Sequence, residues 1–193
     1  MEKYIYNEET GKIFLDTKEK TSQTGTENVI YLMSREEFLN NSKKLPRKNS
    51  FIHSMTPIQY CKIEKYKECI QGTMRVPKGE KSKVCIHNFG FYLSGQELYF
   101  VDESHFLMEY LNKMSEGSFA GCCFRQILFS VFEYLLQEDV LYLQKQEEHL
   151  AKLEEELLKK IPDYFYEMIM MYRKRFNIFH AYYEQLMNMG DVM

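Results

Sequence analysis

From Phe124 to Lys160 the sequence contains neither proline nor glycine. Leu136, Leu143, Leu150 and Leu157 recur there every seven residues, and Val140 and Leu153 support the same stripe. A run of this kind predicts a helix of about 55 Å at 1.5 Å per residue, amphipathic and packed along its leucine face. Its other faces carry Glu133, Glu138, Asp139, Lys145, Glu147, Glu148, Lys152 and Glu154 to Glu156. Pro162-Asp163 then interrupts it, since proline disrupts a helix interior and aspartate caps the next helix well. The following segment places Phe165, Tyr172, Phe179 and Leu186 on one row and Ile169, Phe176 and Tyr183 on the adjacent row. Two long helices with matching stripes and a short break between them predict an antiparallel hairpin. The expected helices run over about 124–160 and 163–189, within a region spanning 117–193.

The preceding region, 1–116, follows a different pattern. Tyr4-Ile5-Tyr6 and Lys12 to Leu15 read as two strands around a turn at Gly11, and 17–27 as a polar loop. Val29 to Met33 reads as a compact apolar strand. Ser34 with Glu37 forms a capping box for a short helix through about Asn41. Residues 42–50 are basic and contain Pro46, which predicts an exposed loop. Gln59 to Val76 reads as two strands turning near Lys67, after which Pro77 and Gly79 are expected to open a polar loop. Val84 to Leu93 and Glu97 to Val101 form the clearest hairpin, with Ser94-Gly95-Gln96 between them. Asp102 or Ser104 is expected to cap a helix to about Met114. Strands interrupted by helices without strict alternation predict an α/β fold, a mixed α+β sheet with flanking helices, followed by the long antiparallel helical hairpin.

Composition narrows the function. With 25 basic and 28 acidic residues the formal net charge is −3, which offers no general attraction to nucleic acid. No window reaches the 18 to 20 apolar residues of a membrane-spanning helix, and the N-terminus does not resemble a secretory signal. Cys61, Cys69, Cys85, Cys122 and Cys123 lack CxxC spacing and read as reduced core residues in a cytosolic setting. No glycine-rich phosphate loop, GxSxG or HExxH motif is present. His53, His87, His105, His149 and His180 do not fall at ligand spacing. No catalytic or cofactor-binding residue is therefore assigned, and the chain is expected not to be an enzyme. Glu138, Asp139, Glu147, Glu148 and Glu154 to Glu156 form an acidic face of oxygen ligands suited to hard divalent cations, although such faces first of all keep a helix soluble.

The run from Leu135 to Leu158, LLQEDVLYLQKQEEHLAKLEEELL, resembles the cytoplasmic helical hairpin of CorA-type magnesium and divalent-cation transporters. The elements that carry the resemblance are Glu138-Asp139, Leu143, Glu147, Leu153-Glu154, then Arg173-Lys174 and Tyr182-Tyr183-Glu184-Gln185-Leu186. Phe89 to Glu103 similarly looks like the family's late strand pair. The resemblance implies a cytoplasmic α/β/α domain that senses Mg²⁺ or another divalent cation and couples its level to gating of a pore. It also implies a homo-oligomer, a pentamer for the full-length protein, attached to the membrane through C-terminal segments. The sequence ends at Met193, before any stalk, transmembrane pair or Gly-Met-Asn signature. Asn188 to Met193 reads as a connector, so the expectation is a piece of a longer transporter rather than a natural soluble relative. The family's regulatory site uses an acidic residue near the stalk, so no metal ligand is carried over to this chain. A rival from another class is a coiled-coil adaptor binding a partner helix along Leu136, Leu143 and Leu150; an enzyme with a site in the α/β half is a third.

Overall fold

The computed structural model describes residues 1–7, 12–16, 28–41, 44–80, 83–116, 124–158 and 161–192, with the side chains of Glu80, Phe124, Arg125 and Glu138 excepted. The turn at Gly11, the loop 17–27, and Cys122 and Cys123 lie outside the described residues. The elements run β1 (Glu2–Asn7), β2 (Lys12–Leu15), β3 (Asn28–Met33), α1 (Arg35–Asn40), α2 (Lys48–Ser54), β4 (Lys62–Lys65), β5 (Ile70–Glu80) and β6 (Lys83–Ser94). They continue with β7 (Glu97–Val101), α3 (Phe106–Ser115), α4 (Phe124–Leu157) and α5 (Phe165–Val192). Among the described residues the strands form one mixed sheet in the order β2-β1-β3-β7-β6-β5-β4. β3 and β7 are parallel at its centre, and the other neighbours are antiparallel.

Alternation along the strands sorts side chains to two faces. One face sends Tyr4, Ile30, Leu32, Met74, Phe89, Phe91 and Phe100 into a cluster with Leu107 and Leu111 of α3 and Leu128, Val131 and Leu135 of α4. The opposite face buries Tyr92, Tyr99 and Val101 against Phe38 of α1 and Phe51 and Ile52 of α2. The result is three layers, helix on sheet on helix, with both sheet faces covered as a parallel centre requires.

Local chemistry explains several boundaries. Ser34 Oγ accepts the Glu37 backbone N–H at 3.2 Å, and Glu37 Oε2 accepts the Ser34 N–H at 2.8 Å, completing the expected capping box. Asp102 caps α3 from upstream, accepting the N–H groups of Ser104 and Leu107, each at 2.8 Å. Gly95 turns the β6–β7 hairpin at φ 59°, a conformation that glycine adopts without penalty.

Three boundaries differ from expectation. The basic stretch does not remain a loop through Ser50. α2 starts at Lys48 because Phe51 packs edge-on to Phe38, at 5.1 Å between ring centroids, and beside Tyr92. Pro77 and Gly79 open no loop either, since β5 continues to Glu80 and pairs Pro77 with Ile86 and Gly79 with Val84. Pairing and burial of Val76 and Pro77 override their turn propensity. The connector expected at Asn188 is helical through Val192.

α4 and α5 form the expected antiparallel hairpin. Leu136 shares a cleft with Leu186, Asp139 hydrogen-bonds Tyr183, the Tyr142 ring lies 5.4 Å from Phe179, and Gln146 contacts Arg175. Partners on α5 thus descend as positions on α4 rise. The seam is not the seven-residue leucine row, whose members are only half-buried. It runs through Leu135, Asp139, Gln146 and Leu153, which are buried, while Val140 is 55% exposed. On α5 the expected rows hold at Tyr172 and Phe179, and Arg175, Tyr182 and Met189 form a further buried row.

Candidate functional site

The middle of the hairpin seam is polar, where an apolar layer would be the default. Asp139 is 1% exposed and Arg175 7%. Arg175 Nη1 donates to Gln146 Oε1 at 3.0 Å, and its guanidinium lies 5.7 Å from the Tyr172 ring centroid. Burial raises the titration of the Tyr142 hydroxyl, and the Arg175 charge partly reverses that shift. Burial also raises Tyr183, with the neighbouring Asp139 adding to it. A buried polar seam of this kind fixes the axial register of two helices, because sliding by one turn would leave each group unpaired.

The end of the β5–β6 arm reaches the same seam. A Cβ at Gly79 would collide with the ring of Tyr142, so the absence of a side chain lets the arm lie against α4. Gly79→Ala is expected to displace that ring and cost about 1–3 kcal/mol, read as a lower urea midpoint with an unchanged slope.

Beside the seam, the outer side of α5 and the sheet enclose an open groove of about 930 Å³. Met170, Met171, Ile178 and Ala181 of α5 face Pro77 of β5 and Ile86 of β6, and Arg75, Arg173 and Lys174 supply positive charge. No acidic residue lines it among the described residues. At the groove's inner end, Gln185 Oε1 accepts the Cys61 N–H at 2.7 Å, and Cys61 Sγ accepts the Arg75 N–H at 3.2 Å. Burial pushes the Cys61 thiol up to about 11, so it stays protonated and unreactive at neutral pH.

These buried hydroxyls and this thiol carry a pH dependence. Their folded-state values are raised, so the stabilisation is complete below the ordinary range and is lost as pH rises through the folded values. For Cys61 the window runs from about 9 to about 11, where the unfolded chain ionises and the folded chain still holds its proton. Urea unfolding is expected to show a falling midpoint across that window, by up to about 1.4 kcal/mol per pH unit for each such group. A flat midpoint to pH 11 would contradict the burial assigned here.

The acidic residues singled out in the sequence do not converge. Asp139 points into the seam, Glu147, Glu148 and Glu154 to Glu156 are exposed along α4, and the Glu138 side chain lies outside the described residues. Among the described residues no three His, Cys, Asp or Glu side chains gather in a cation-binding group. Among the described residues, then, no set of side chains offers the several oxygen ligands around one point that a resident divalent ion needs. His87 stacks on Phe106 at 4.2 Å, His180 lies 3.5 Å from Glu184 on the surface, and His149 is exposed. Sequence reading missed Arg175 and the α5 groove: an arginine in a row of aromatics passes for a surface residue until the packing of its neighbours is known.

No family model matches the sequence, and no curated protein matches it. Solved structures do. The complete CorA magnesium transporter of Methanocaldococcus jannaschii aligns over 99% of this chain and 60% of its own, with a TM-score of 0.68 at 16% identity. The cytoplasmic domain of ZntB from Vibrio parahaemolyticus aligns over 89% of this chain and 69% of its own, with a TM-score of 0.62 at 14% identity. Full-length CmaX aligns over 94% of this chain and 59% of its own, with a TM-score of 0.68 at 12% identity. The chain thus spans about three fifths of the full-length proteins it resembles. No helix among the described residues is long and apolar enough to cross a membrane. At these identities the likeness is one of architecture, and it includes the sheet, its flanking helices and the hairpin together: this chain has the fold of a CorA-type transporter's soluble domain.

Proposed function

We propose that the chain is the cytoplasmic regulatory part of a CorA-like divalent-cation transporter, a non-catalytic domain that couples intracellular ion level to pore gating. The observation that carries this is the hairpin laid in antiparallel register on the mixed sheet, which aligns with the complete Methanocaldococcus CorA over 99% of the chain. The polar seam suits a transmitting element, since a hairpin with a fixed register moves as one body. In this function the domain works in a homo-oligomer on the inner side of the membrane, with Mg²⁺ or a related cation as both cargo and signal. A sensed ion held between copies would take its ligands from more than one of them. Such an ion biases gating only if it binds one arrangement of the copies better than another.

The adaptor alternative needs the leucine row free for a partner helix. Leu136 instead packs against the cluster beneath the sheet, and Leu143 and Leu150 are half-covered. The gene itself tests the transporter assignment. Continuation of the reading frame into two apolar stretches of about 20 residues, the first ending in Gly-Met-Asn, is the expected result. A native gene lacking any such segment would overturn it.

A further inference from the structure

The groove along α5 is positive at both ends and apolar between them. Gly79 touches the Tyr142 ring, and that ring lies 5.4 Å from Phe179, so the end of β5 sits level with the middle of α5. Arg75 lies further back along β5, beside Cys61, which bonds Gln185. Arg75 therefore stands at the Gln185 end of the groove, and Arg173 and Lys174 stand at the other. From Lys174 to Gln185 is about 16 Å along the helix at 1.5 Å per residue. Pro77, Ile86, Ile178 and Ala181 form the floor between the two ends.

The protein does not answer these charges itself. Among the described residues no carboxylate lines the groove, and none forms an ion pair with Arg75, Arg173 or Lys174. In a chain with 28 acidic residues against 25 basic, a groove that collects only basic ones attracts anions. Arg75 is also held in place. Its Nη1 donates to the Gln59 carbonyl at 3.0 Å and its backbone N–H to Cys61 Sγ, and a guanidinium has further donors in the fork that suits a carboxylate. The volume of about 930 Å³ lies within the range of about 300–1,000 Å³ usual for small-molecule sites, which combine an apolar lining with a few placed polar groups.

We propose that this groove binds an elongated organic dianion, an aliphatic chain with an acidic group at each end. One carboxylate pairs with Arg75 beside Gln59, and the other with Arg173 and Lys174. The chain between them lies on Ile86, Ile178 and Ala181. A short dianion cannot span the two ends, a fatty monoanion meets only one of them, and a neutral chain meets neither. The site is separate from ion sensing and gating, and nothing in it depends on that reading.

Dodecanedioate, whose extended length is close to the span between the ends, is the probe, with binding to residues 1–193 read by calorimetry. It is expected to bind more tightly than dodecanoate by about fivefold, the scale of one exposed ion pair, and succinate is expected not to bind. Arg75→Gln, or Arg173→Gln with Lys174→Gln, should each bring dodecanedioate down to the affinity that dodecanoate has for the wild type. Ala181→Glu puts a carboxylate on the floor and should abolish binding of both. All four positions are exposed, and an unchanged circular dichroism spectrum shows that each variant folds. Methyl NMR locates the ligand: the Met170 and Met171 signals should shift, while that of Met187, exposed on α5 outside the groove, should not. Failure of dodecanedioate to bind, equal affinity for dodecanoate, or variants that bind as the wild type does would overturn the proposal. So would a shift at Met187 without one at Met170 and Met171. None of these results bears on the reading-frame test of the transporter assignment.

Discussion

Replacing Tyr182 with alanine is expected to lower the unfolding free energy by about 3–5 kcal/mol, the range for removing a large aromatic from a core. Tyr182 is 3% exposed and belongs to the same cluster as Phe91, Leu128 and Leu135, so its ring ties α5 to the sheet. Its loss opens a cavity where the hairpin meets the α/β layers, and the adjacent groove wall should collapse into it. Tyr182→Phe is expected to behave oppositely. The Tyr182 hydroxyl is buried with no hydrogen-bond partner among the described residues, so removing it sheds a desolvated polar group while the ring stays. A urea midpoint at or above the wild-type value for the phenylalanine variant, beside a large drop for the alanine variant, would establish that the ring stabilises and the oxygen does not. A phenylalanine variant as damaged as the alanine variant would show that the hydroxyl has a partner after all.

Arg175→Ala is expected to cost about 2–3 kcal/mol. The substitution strips Gln146 of the donor at 3.0 Å and leaves a buried amide oxygen in the seam, a loss of about 1–3 kcal/mol by itself. The guanidinium also lies 5.7 Å from the Tyr172 ring centroid, and that cation–π contact goes with it. A double variant, Arg175→Leu with Gln146→Leu, removes both members of this pair and fills the layer. It is expected to recover much of the stability, because apolar replacement of both members of a buried pair is often neutral. What the double variant gives up is register. Hydrogen exchange should show faster opening of α5 relative to its global stability, since sliding by a turn no longer strands a charge. Full loss of stability in the double variant would mean that the contacts of Arg175 with Met171 and Tyr142 outweigh its pairing with Gln146.

The hairpin was legible in the sequence because its signals are local. The absence of breakers over 124–160, the Pro162-Asp163 punctuation and the repeating aromatics of α5 each act within a few residues. Which row of α4 faces inward was not legible. Leu136, Leu143 and Leu150 advertise a seam by hydrophobicity, yet the helix is turned toward Asp139 and Gln146 because Arg175 and Tyr183 await them on α5. That preference depends on a partner more than 25 residues away, and no window on α4 contains it. The same holds at Pro77 and Gly79. Their composition signals a loop, whereas pairing with Ile86 and Val84 and the contact of Gly79 with Tyr142 keep them in a strand. α2 was hidden for a similar reason, since its short length gives little periodicity and Phe51 is fixed by Phe38 and Tyr92 from other elements.

The functional groups were less legible than the fold. Acidic residues along α4 invite a metal reading, and in the folded chain they diverge around the helix. The groove, in contrast, draws on β5, β6 and α5, and Arg75 lies almost a hundred positions from Arg173 and Lys174. Only the sheet brings them together.

The central claim is that this domain responds to a divalent cation through contacts between copies. Calorimetric unfolding of residues 1–193, with Mg²⁺ from zero to about 10 mM and at low and high protein concentration, tests it most directly. A ligand that prefers the native assembly must stabilise it, by about 1.4 kcal/mol at a ligand concentration ten times Kd, which is about 3–6 °C for a chain of this size. The account predicts a rise of that order with Mg²⁺ that grows with protein concentration. An unfolding temperature indifferent to Mg²⁺ at every protein concentration would contradict it.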